Sequence, residues 1–521
     1  MITFIWKTDY TFLAMKRFIL FAYTLFIYIA VATGRPVRVI ITAGQSNTDG
    51  RCPNTELPAY IKALAKDTVT FQRGAYNFCR ISQNRVDGQF ERFWPQATKE
   101  GVENSWAYDA VTYLWLDQLV RDPLYIIKWA VGGTSIAVDK HNAEGQYWSA
   151  DRGWLKRAHS TAQGGQSLLL SLTQQIDACI DSTLSALKDG YQIDALLWHQ
   201  GESDYKQGKA YYKNLKAVFT HIRQHLSEKT GKDYSALPVI MGTVAHSNKC
   251  YSAEVEKAMR RLADEDGNVY LIDMSKAGLQ RDRLHFDAKA AEYLGTQVYD
   301  RLLKVAYMPE GVQSVEDGPL AGKRIAFLGD SYVRNHREPA MLAWHYKFAR
   351  KHGMTYFNYG RNGSNVAYNS KQWGPAMYVR YKDLPDDLDY VVVVGGHNDS
   401  SNLDFIGGID VYKSRLAELC EGLIARYPKA QIFFFTRWTA PNFTGSDFEK
   451  VVDATLEVCG SYSIPVFDSA RKGGIYIGNE TFRKTFLQPK KGNTDTAHLN
   501  ARGHDRFLPV AEAFLLQYMQ R

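Results

Sequence analysis

One ordered set of residues occurs twice in this chain. Gly44-Gln45-Ser46-Asn47 is followed by Gly132-Gly133, then Gln200-Gly201-Glu202, then Asp282-Arg283-Leu284-His285. Gly329-Asp330-Ser331 is followed by Gly363, then Gly396-His397-Asn398-Asp399, then Asp495-Thr496-Ala497-His498. Four blocks far apart in sequence act together only if the fold gathers them, so a chain that repeats the order is expected to fold the same way twice. At 521 residues it is also long for a single core, and two domains are the default.

The first unit is expected from about Arg35 to about Tyr307. Apolar, β-branched runs mark strands at 37–42, 125–130, 195–198, 239–243 and 269–272, with helical periodicity between them, clearest at 167–187 and 209–226. The second unit, 323–521, repeats the scheme with strands at 324–328, 355–358, 390–394, 431–435 and 465–467. Each unit closes on a helix after its histidine, at 288–305 and 501–519. The turn-rich stretch 308–322 reads as a linker. Strands alternating with helices imply two α/β domains with mostly parallel, five-stranded sheets. The catalytic blocks follow strand ends, where such sheets hold their ligands.

Each block has a part to play in acyl transfer. Ser46 and Ser331 sit at strand-to-turn junctions and are the candidate nucleophiles. His285 and His498 are the candidate bases, each three residues after an aspartate, Asp282 and Asp495, placed to hold the imidazole Nδ1–H. Preorganised donors for the developing oxyanion are assigned to the serine N–H groups. They are joined by a main-chain N–H at Gly132 or Gly133 with the Gln200 amide in the first unit, and by the Gly363 N–H with the Asn398 amide in the second. Glu202 and Asp204 are read as braces for their loop. Neither serine lies in the GxSxG elbow of α/β-hydrolases.

The repeats differ in spacing. Ser46 and Gly133 are 87 positions apart, Ser331 and Gly363 only 32. The first unit therefore carries an insertion, about 52–121, with Phe90-Glu91-Arg92-Phe93-Trp94 and Trp106-Ala107-Tyr108. It is expected to wall the substrate site.

At the N-terminus, Lys16-Arg17 precedes the apolar run 18–31, and Ala30-Val31-Ala32 suits signal cleavage. Residues 1–32 are expected to be a signal peptide, with export and no membrane span afterwards. The formal charge is +8, of which the signal segment contributes two. No basic run with interleaved aromatics argues for nucleic acid. Six cysteines lie scattered without CxxC pairs, so no zinc site is expected. In an oxidising compartment Cys52–Cys79 or Cys420–Cys459 are candidate pairs.

These blocks resemble a known family. Gly329-Asp330-Ser331, Gly363, Gly396-His397-Asn398-Asp399 and Asp495…His498 are similar to the four blocks of the SGNH (GDSL-type) hydrolases. Gly44-Gln45-Ser46-Asn47, Ala130-Val131-Gly132-Gly133-Thr134-Ser135 and Trp198-His199-Gln200-Gly201-Glu202-Ser203-Asp204 resemble the branch of acetylxylan esterases and sialic-acid-specific O-acetylesterases, where Gln replaces the block Asn. The resemblance implies a three-layer α/β/α, flavodoxin-like fold, no metal or cofactor, and an acyl-serine mechanism. It also implies an acetylated glycan or polysaccharide as substrate. The alternatives are a lipase or thioesterase, or one catalytic domain beside a non-catalytic glycan-binding one.

Overall fold

The computed structural model describes residues 35–519, except 59, 62–75, 81–85, 87, 93–104, 121–123, 140–144, 314–316 and 492. The expected signal segment and much of the insertion, Phe93 and Trp94 included, lie outside the described residues.

The first sheet contains Val37–Gly44 (β1), Tyr76–Arg80 (β2), Glu91–Arg92 (β3), Leu124–Ala130 (β4), Tyr191–His199 (β5), Val239–Gly242 (β6) and Val269–Ile272 (β7). Their order is β3-β2-β4-β1-β5-β6-β7. The five expected strands form the parallel block β4-β1-β5-β6-β7. The insertion adds two more, β2 parallel to β4 and β3 antiparallel to β2.

Around this sheet lie Ser46–Asp49 (α1), Tyr108–Leu119 (α2), Leu168–Ser182 (α3), Gly208–Thr230 (α4), Ala253–Glu265 (α5) and Ala288–Val305 (α6). Successive side chains of a strand face opposite ways. Val39, Ile41 and Ala43 of β1 therefore join Leu172, Ile176, Leu215 and Phe219 of α3 and α4 on one face. Ile40 joins Val111 of α2 and Leu294 of α6 on the other. This is the three-layer arrangement.

The second sheet comprises Arg324–Gly329 (β8), Thr355–Gly360 (β9), Tyr390–Val394 (β10), Gln431–Phe435 (β11) and Val466–Phe467 (β12), all parallel, in the order β9-β8-β10-β11-β12. Its helices include Ser331–Arg334 (α7), His397–Ser401 (α8), Ile409–Arg426 (α9), Asp447–Ser461 (α10) and Ala501–Met519 (α11). A hairpin of Leu487–Lys490 (β13) and Asn493–Leu499 (β14) precedes α11. In both domains the first strand is central and the chain order reverses beside it, which makes a crevice at the strands' carboxyl ends. The segment 308–322 holds no helix or strand among the described residues.

Two findings depart from expectation. Trp106, Ala107 and Tyr108 do not wall a substrate site. They are buried, the Trp106 Nε1–H donates to Pro53 O at 3.1 Å, and they lead into α2, every residue of which is buried. The domains also share one apolar core. Trp115 of α2 meets Phe357 of β9 edge-on at 4.9 Å, and the Tyr346 hydroxyl donates to Tyr307 O at 2.8 Å.

Candidate active sites

In the second domain, β8 ends at Gly329 and the chain turns directly into α7. The Asp330 carboxylate caps that helix by accepting the Tyr332 N–H at 2.8 Å, a common way to satisfy a helix's first donors. Ser331 opens the helix at the crevice floor. Register brings the neighbouring strands to the same level, with Gly329 opposite Gly360 of β9 and Val394 of β10. The loop after β9 carries Gly363, and α8 after β10 carries Asn398.

His498 comes from β14. Asp495 Oδ1 accepts the Ala497 and His498 N–H groups at 2.7 and 3.0 Å, which folds the short segment so that Oδ2 meets His498 Nδ1 at 3.0 Å. With Nδ1–H directed at the carboxylate, Nε2 is the acceptor, and the Ser331 hydroxyl donates to it at 2.8 Å. Ser331, His498 and Asp495 are thus one connected triad, as the sequence predicts. Burial pushes the Asp495 carboxyl up, but the imidazole and main-chain donors outweigh it and hold the group well below the usual carboxylate range.

The Ser331 and Gly363 N–H groups donate to no described residue. Gly363 has φ +72°, and a Cβ there would run into the Trp373 ring. Asn398 Nδ2 donates to Ser364 O at 2.9 Å, with Asp330 Oδ2 at a marginal 3.5 Å. The second contact is long enough to be exchanged for a better acceptor. Asp399 accepts the Val366 and Ala367 N–H groups at 2.8 and 2.9 Å and bolts the Gly363 loop to α8.

Two side chains here carry no motif. Arg337 donates to Asp495 Oδ2 at 2.7 Å, and the His336 ring stacks on His498 at 4.1 Å. Both follow α7, whereas their partners lie some 160 residues later, a pairing with no local sequence signal. His336, Asp495 and His498 bring three potential metal-ligating atoms within 4.8 Å. Asp495 and His498 are already engaged with each other, with Arg337 and with Ser331, so the cluster is that hydrogen-bonded pair with a ring stacked on it.

The first domain uses the same scheme. β1 ends at Gly44, opposite Ala130 of β4 and His199 of β5. Gly44 has φ +146°, and a Cβ would clash with His199 O, so only glycine lets the strands approach here. Ser46 opens α1 and is 4% exposed. Asp282 Oδ1 accepts the Leu284 and His285 N–H groups at 2.9 and 3.1 Å, and Oδ2 lies 2.5 Å from His285 Nδ1. Burial raises the Asp282 carboxyl, and these donors outweigh it to set it below its ordinary value.

Ser46 and His285 make no hydrogen bond to each other, unlike their counterparts. Their loops are joined by Asn47. Its Oδ1 accepts the Phe286 N–H at 3.0 Å, and its Nδ2 donates to Glu202 Oε1 at 2.8 Å. Glu202 also meets His199 Nε2 at 3.2 Å. Burial raises its carboxyl, but His199 and Asn47 outweigh this and lower it overall. Glu202 is therefore a brace, and so is Asp204, which accepts the Ile136 and Ala137 N–H groups at 2.7 and 2.9 Å.

The two aspartates set a register between the domains. Asp204 matches Asp399, and Gly133, with φ +75°, matches Gly363. Gln200 departs from its expected role. Its Nε2 donates to Thr134 O at 3.2 Å, as Asn398 does to Ser364 O, but its second hydrogen goes to Asp204 Oδ2 at 2.6 Å. The Tyr211 hydroxyl donates to Oε1 at 2.9 Å and fixes the amide's orientation. Gln200 is fully buried and offers the crevice nothing. The Ser46, Gly132 and Gly133 N–H groups donate to no described residue.

Cys52 is a free thiol donating to Phe286 O at 3.3 Å rather than half of a disulfide. Cys420 and Cys459 are free and 4.0 Å apart, facing each other from α9 and α10.

Comparison with known proteins places both halves. The family described as carbohydrate esterase, sialic acid-specific acetylesterase, matches residues 36–304. The GDSL-like lipase/acylhydrolase family matches 327–506. Among solved structures, a protein from Arabidopsis thaliana is 20% identical over 52% of this chain and 98% of its own, with TM-score 0.35. A carbohydrate acetylesterase from Xanthomonas citri is 17% identical over 53% of this chain and 58% of its own, with TM-score 0.33. A putative GDSL-like lipase from Bacteroides ovatus is 17% identical over 38% of this chain and 99% of its own, with TM-score 0.27. No curated protein matches the chain. The chain belongs to the sialic acid-specific acetylesterase family of carbohydrate esterases, continues into a GDSL-like acylhydrolase domain, and is a carboxylic ester hydrolase.

Proposed function

We propose that the protein is a secreted carbohydrate O-acetylesterase with two serine-dependent active sites. The observation that carries the mechanism is the connected Ser331–His498–Asp495 triad. Ser331 Oγ attacks the acetyl carbonyl carbon as His498 Nε2 takes its proton. The carbonyl electron pair moves to oxygen, and the anion is received by the Ser331 and Gly363 N–H groups and the Asn398 amide. Collapse expels the sugar alcohol with the proton from His498. Water then repeats the sequence and frees acetate.

The same steps are assigned to Ser46, His285 and Asp282 in the first domain. The carbohydrate substrate is supported by the family of the first domain. The Arabidopsis, Xanthomonas and Bacteroides likenesses are too distant to add to it. Export is supported by Lys16-Arg17, the apolar run after it, and Ala30-Val31-Ala32. No helix among the described residues is long and apolar enough to cross a membrane.

The test is acetate release from acetylated xylan, pectin, mannan and sialoglycans by Ser46→Ala, Ser331→Ala and the double variant. Each single variant is expected to retain part of the activity, and the double to retain none. Activity rising with acyl length on p-nitrophenyl esters would defeat the acetylesterase reading. A second reading makes only the second domain catalytic, and the lack of a Ser46–His285 hydrogen bond favours it. Full activity in Ser46→Ala on every substrate would establish it.

A further inference from the structure

The first site is one donor short. The amide expected to complete its oxyanion hole, that of Gln200, has both hydrogens bound inside the protein. Asn398, at the matching place, has one close acceptor, Ser364 O at 2.9 Å, and a second only at 3.5 Å, Asp330 Oδ2.

Arg51 stands where the missing donor is needed. It follows α1 directly after Gly50, which has φ +121°. Its Nη1 is held by Asp49 Oδ2 at 2.8 Å and by Gly50 O at 2.6 Å. Its Nη2 makes no hydrogen bond to any described residue. A Cβ built on Gly132 would lie 2.5 Å from that Nη2 and 3.3 Å from Ser46 Cβ. Nη2 therefore lies no more than 5.8 Å from Ser46 Cβ, packed against Gly132, where a side chain would run into it. A nitrogen this close to Ser46 Cβ is within reach of the oxygen of an acyl group bonded to Ser46 Oγ.

The guanidinium side chain is 20% exposed, and its carboxylate partner Asp49 is 1% exposed. It is thus fixed and partly withdrawn from water. Charge-assisted bonds are about twice as strong as neutral ones, and they count for more where water is excluded.

We infer that Arg51 is a catalytic residue of the first domain, donating from Nη2 to the tetrahedral oxyanion in the role Asn398 has in the second. This rests on Ser46 being the nucleophile there. When Oγ bonds to the acyl carbon, its proton passes to His285 Nε2 and the carbonyl electron pair moves onto oxygen. That oxygen is then met by the Ser46 N–H, the glycine N–H and Arg51 Nη2–H. As the C=O bond re-forms, the alcohol leaves with the proton from His285.

The test uses the full chain carrying Ser331→Ala, so that only the first site works, with p-nitrophenyl acetate as substrate. Arg51→Ala is expected to lower kcat about 10²–10³-fold, with KM changed less than about threefold. Arg51→Lys should recover part of the rate, and added guanidinium at tens of millimolar should partly rescue Arg51→Ala but not Ser46→Ala. Labelling of Ser46 by a fluorophosphonate should slow in parallel. Circular dichroism of each variant separates these effects from loss of fold, and Arg51→Gln serves if the alanine variant does not fold. Unchanged kcat and labelling, or a loss confined to KM, would overturn the role of Arg51 and leave Ser46 standing. If Ser331→Ala alone abolishes hydrolysis and Ser46 takes no label, the nucleophile assignment falls, and Arg51 with it.

Discussion

Asn47 Oδ1 accepts the Phe286 N–H at 3.0 Å, so the residue after Ser46 fastens the residue after His285. Two loops some 240 positions apart in sequence are registered by one side chain. Asn47→Ala leaves that N–H and the buried Glu202 carboxylate each one partner short. Such losses cost about 1–3 kcal/mol. In a Ser331→Ala background the variant should lower kcat about 10–100-fold and lower the melting temperature. Hydrolysis at the parent rate would show that the loops are registered by other means.

Asp495 holds His498 through Nδ1 and is itself held by Arg337. In a Ser46→Ala background, Asp495→Asn should reduce kcat by about 10⁴, the scale seen when a triad acid is neutralised. Arg337→Ala should cost far less, because the main-chain N–H groups of Ala497 and His498 still fix the carboxylate. Steady-state kinetics on p-nitrophenyl acetate distinguish the two, and equal losses would make Arg337 a full partner of the triad.

The buried Asp330 carboxyl is pushed up to about 7, chiefly by burial, with nearby Asp399 adding and the Tyr332 N–H, Arg380 and Arg437 opposing. Its folded value lies above its unfolded one. Its contribution to stability is therefore complete below about pH 4 and is lost as pH rises through about 7. A shift of this size corresponds to about 4 kcal/mol. Asp330→Asn can still cap Tyr332 and has no such proton to lose. Urea unfolding between pH 4 and 8 should show a flatter pH dependence in the variant. An unchanged slope would mean that the carboxyl is ionised throughout.

Cys420 and Cys459 face each other 4.0 Å apart between α9 and α10. Oxidation should join them, with a mass loss of two hydrogens in the peptide pair. Closing a loop of about 40 residues should add about 2–4 kcal/mol of stability. Reduction should lower the melting temperature of the parent but not of Cys420→Ala. Failure to form under mild oxidant would show that the helices cannot close the remaining gap.

Trp115 and Phe357 bind the two domains into one core. Trp115→Ala should cost about 3–5 kcal/mol and turn a single calorimetric transition into two. One sharp transition in the variant would place the coupling elsewhere.

Much of this was legible in the sequence. The strands and closing helices appear within a few residues of where apolar runs and periodicity put them, because the sheets are buried on both faces. The Asp–His pairs were readable because each sits on one short segment, where spacing alone fixes geometry. What stayed hidden depends on distant partners. The fate of Gln200 is decided by Thr134, Asp204 and Tyr211. Arg337 takes its meaning from Asp495, and Arg51 from the space above Gly132. Trp106 and Tyr108 were hidden for a related reason: they are buried where the chain enters α2, and the neighbouring domain packs against that helix at Phe357.

That helix has a practical corollary. A cut within 308–322 would not release two ready-made enzymes. It would leave each fragment with a raw greasy face, Trp115 on one and Phe357 on the other, and such faces promote clumping. Anyone wishing to study the halves separately must first repaint that seam with polar residues. Silencing one serine at a time in the intact chain avoids the difficulty.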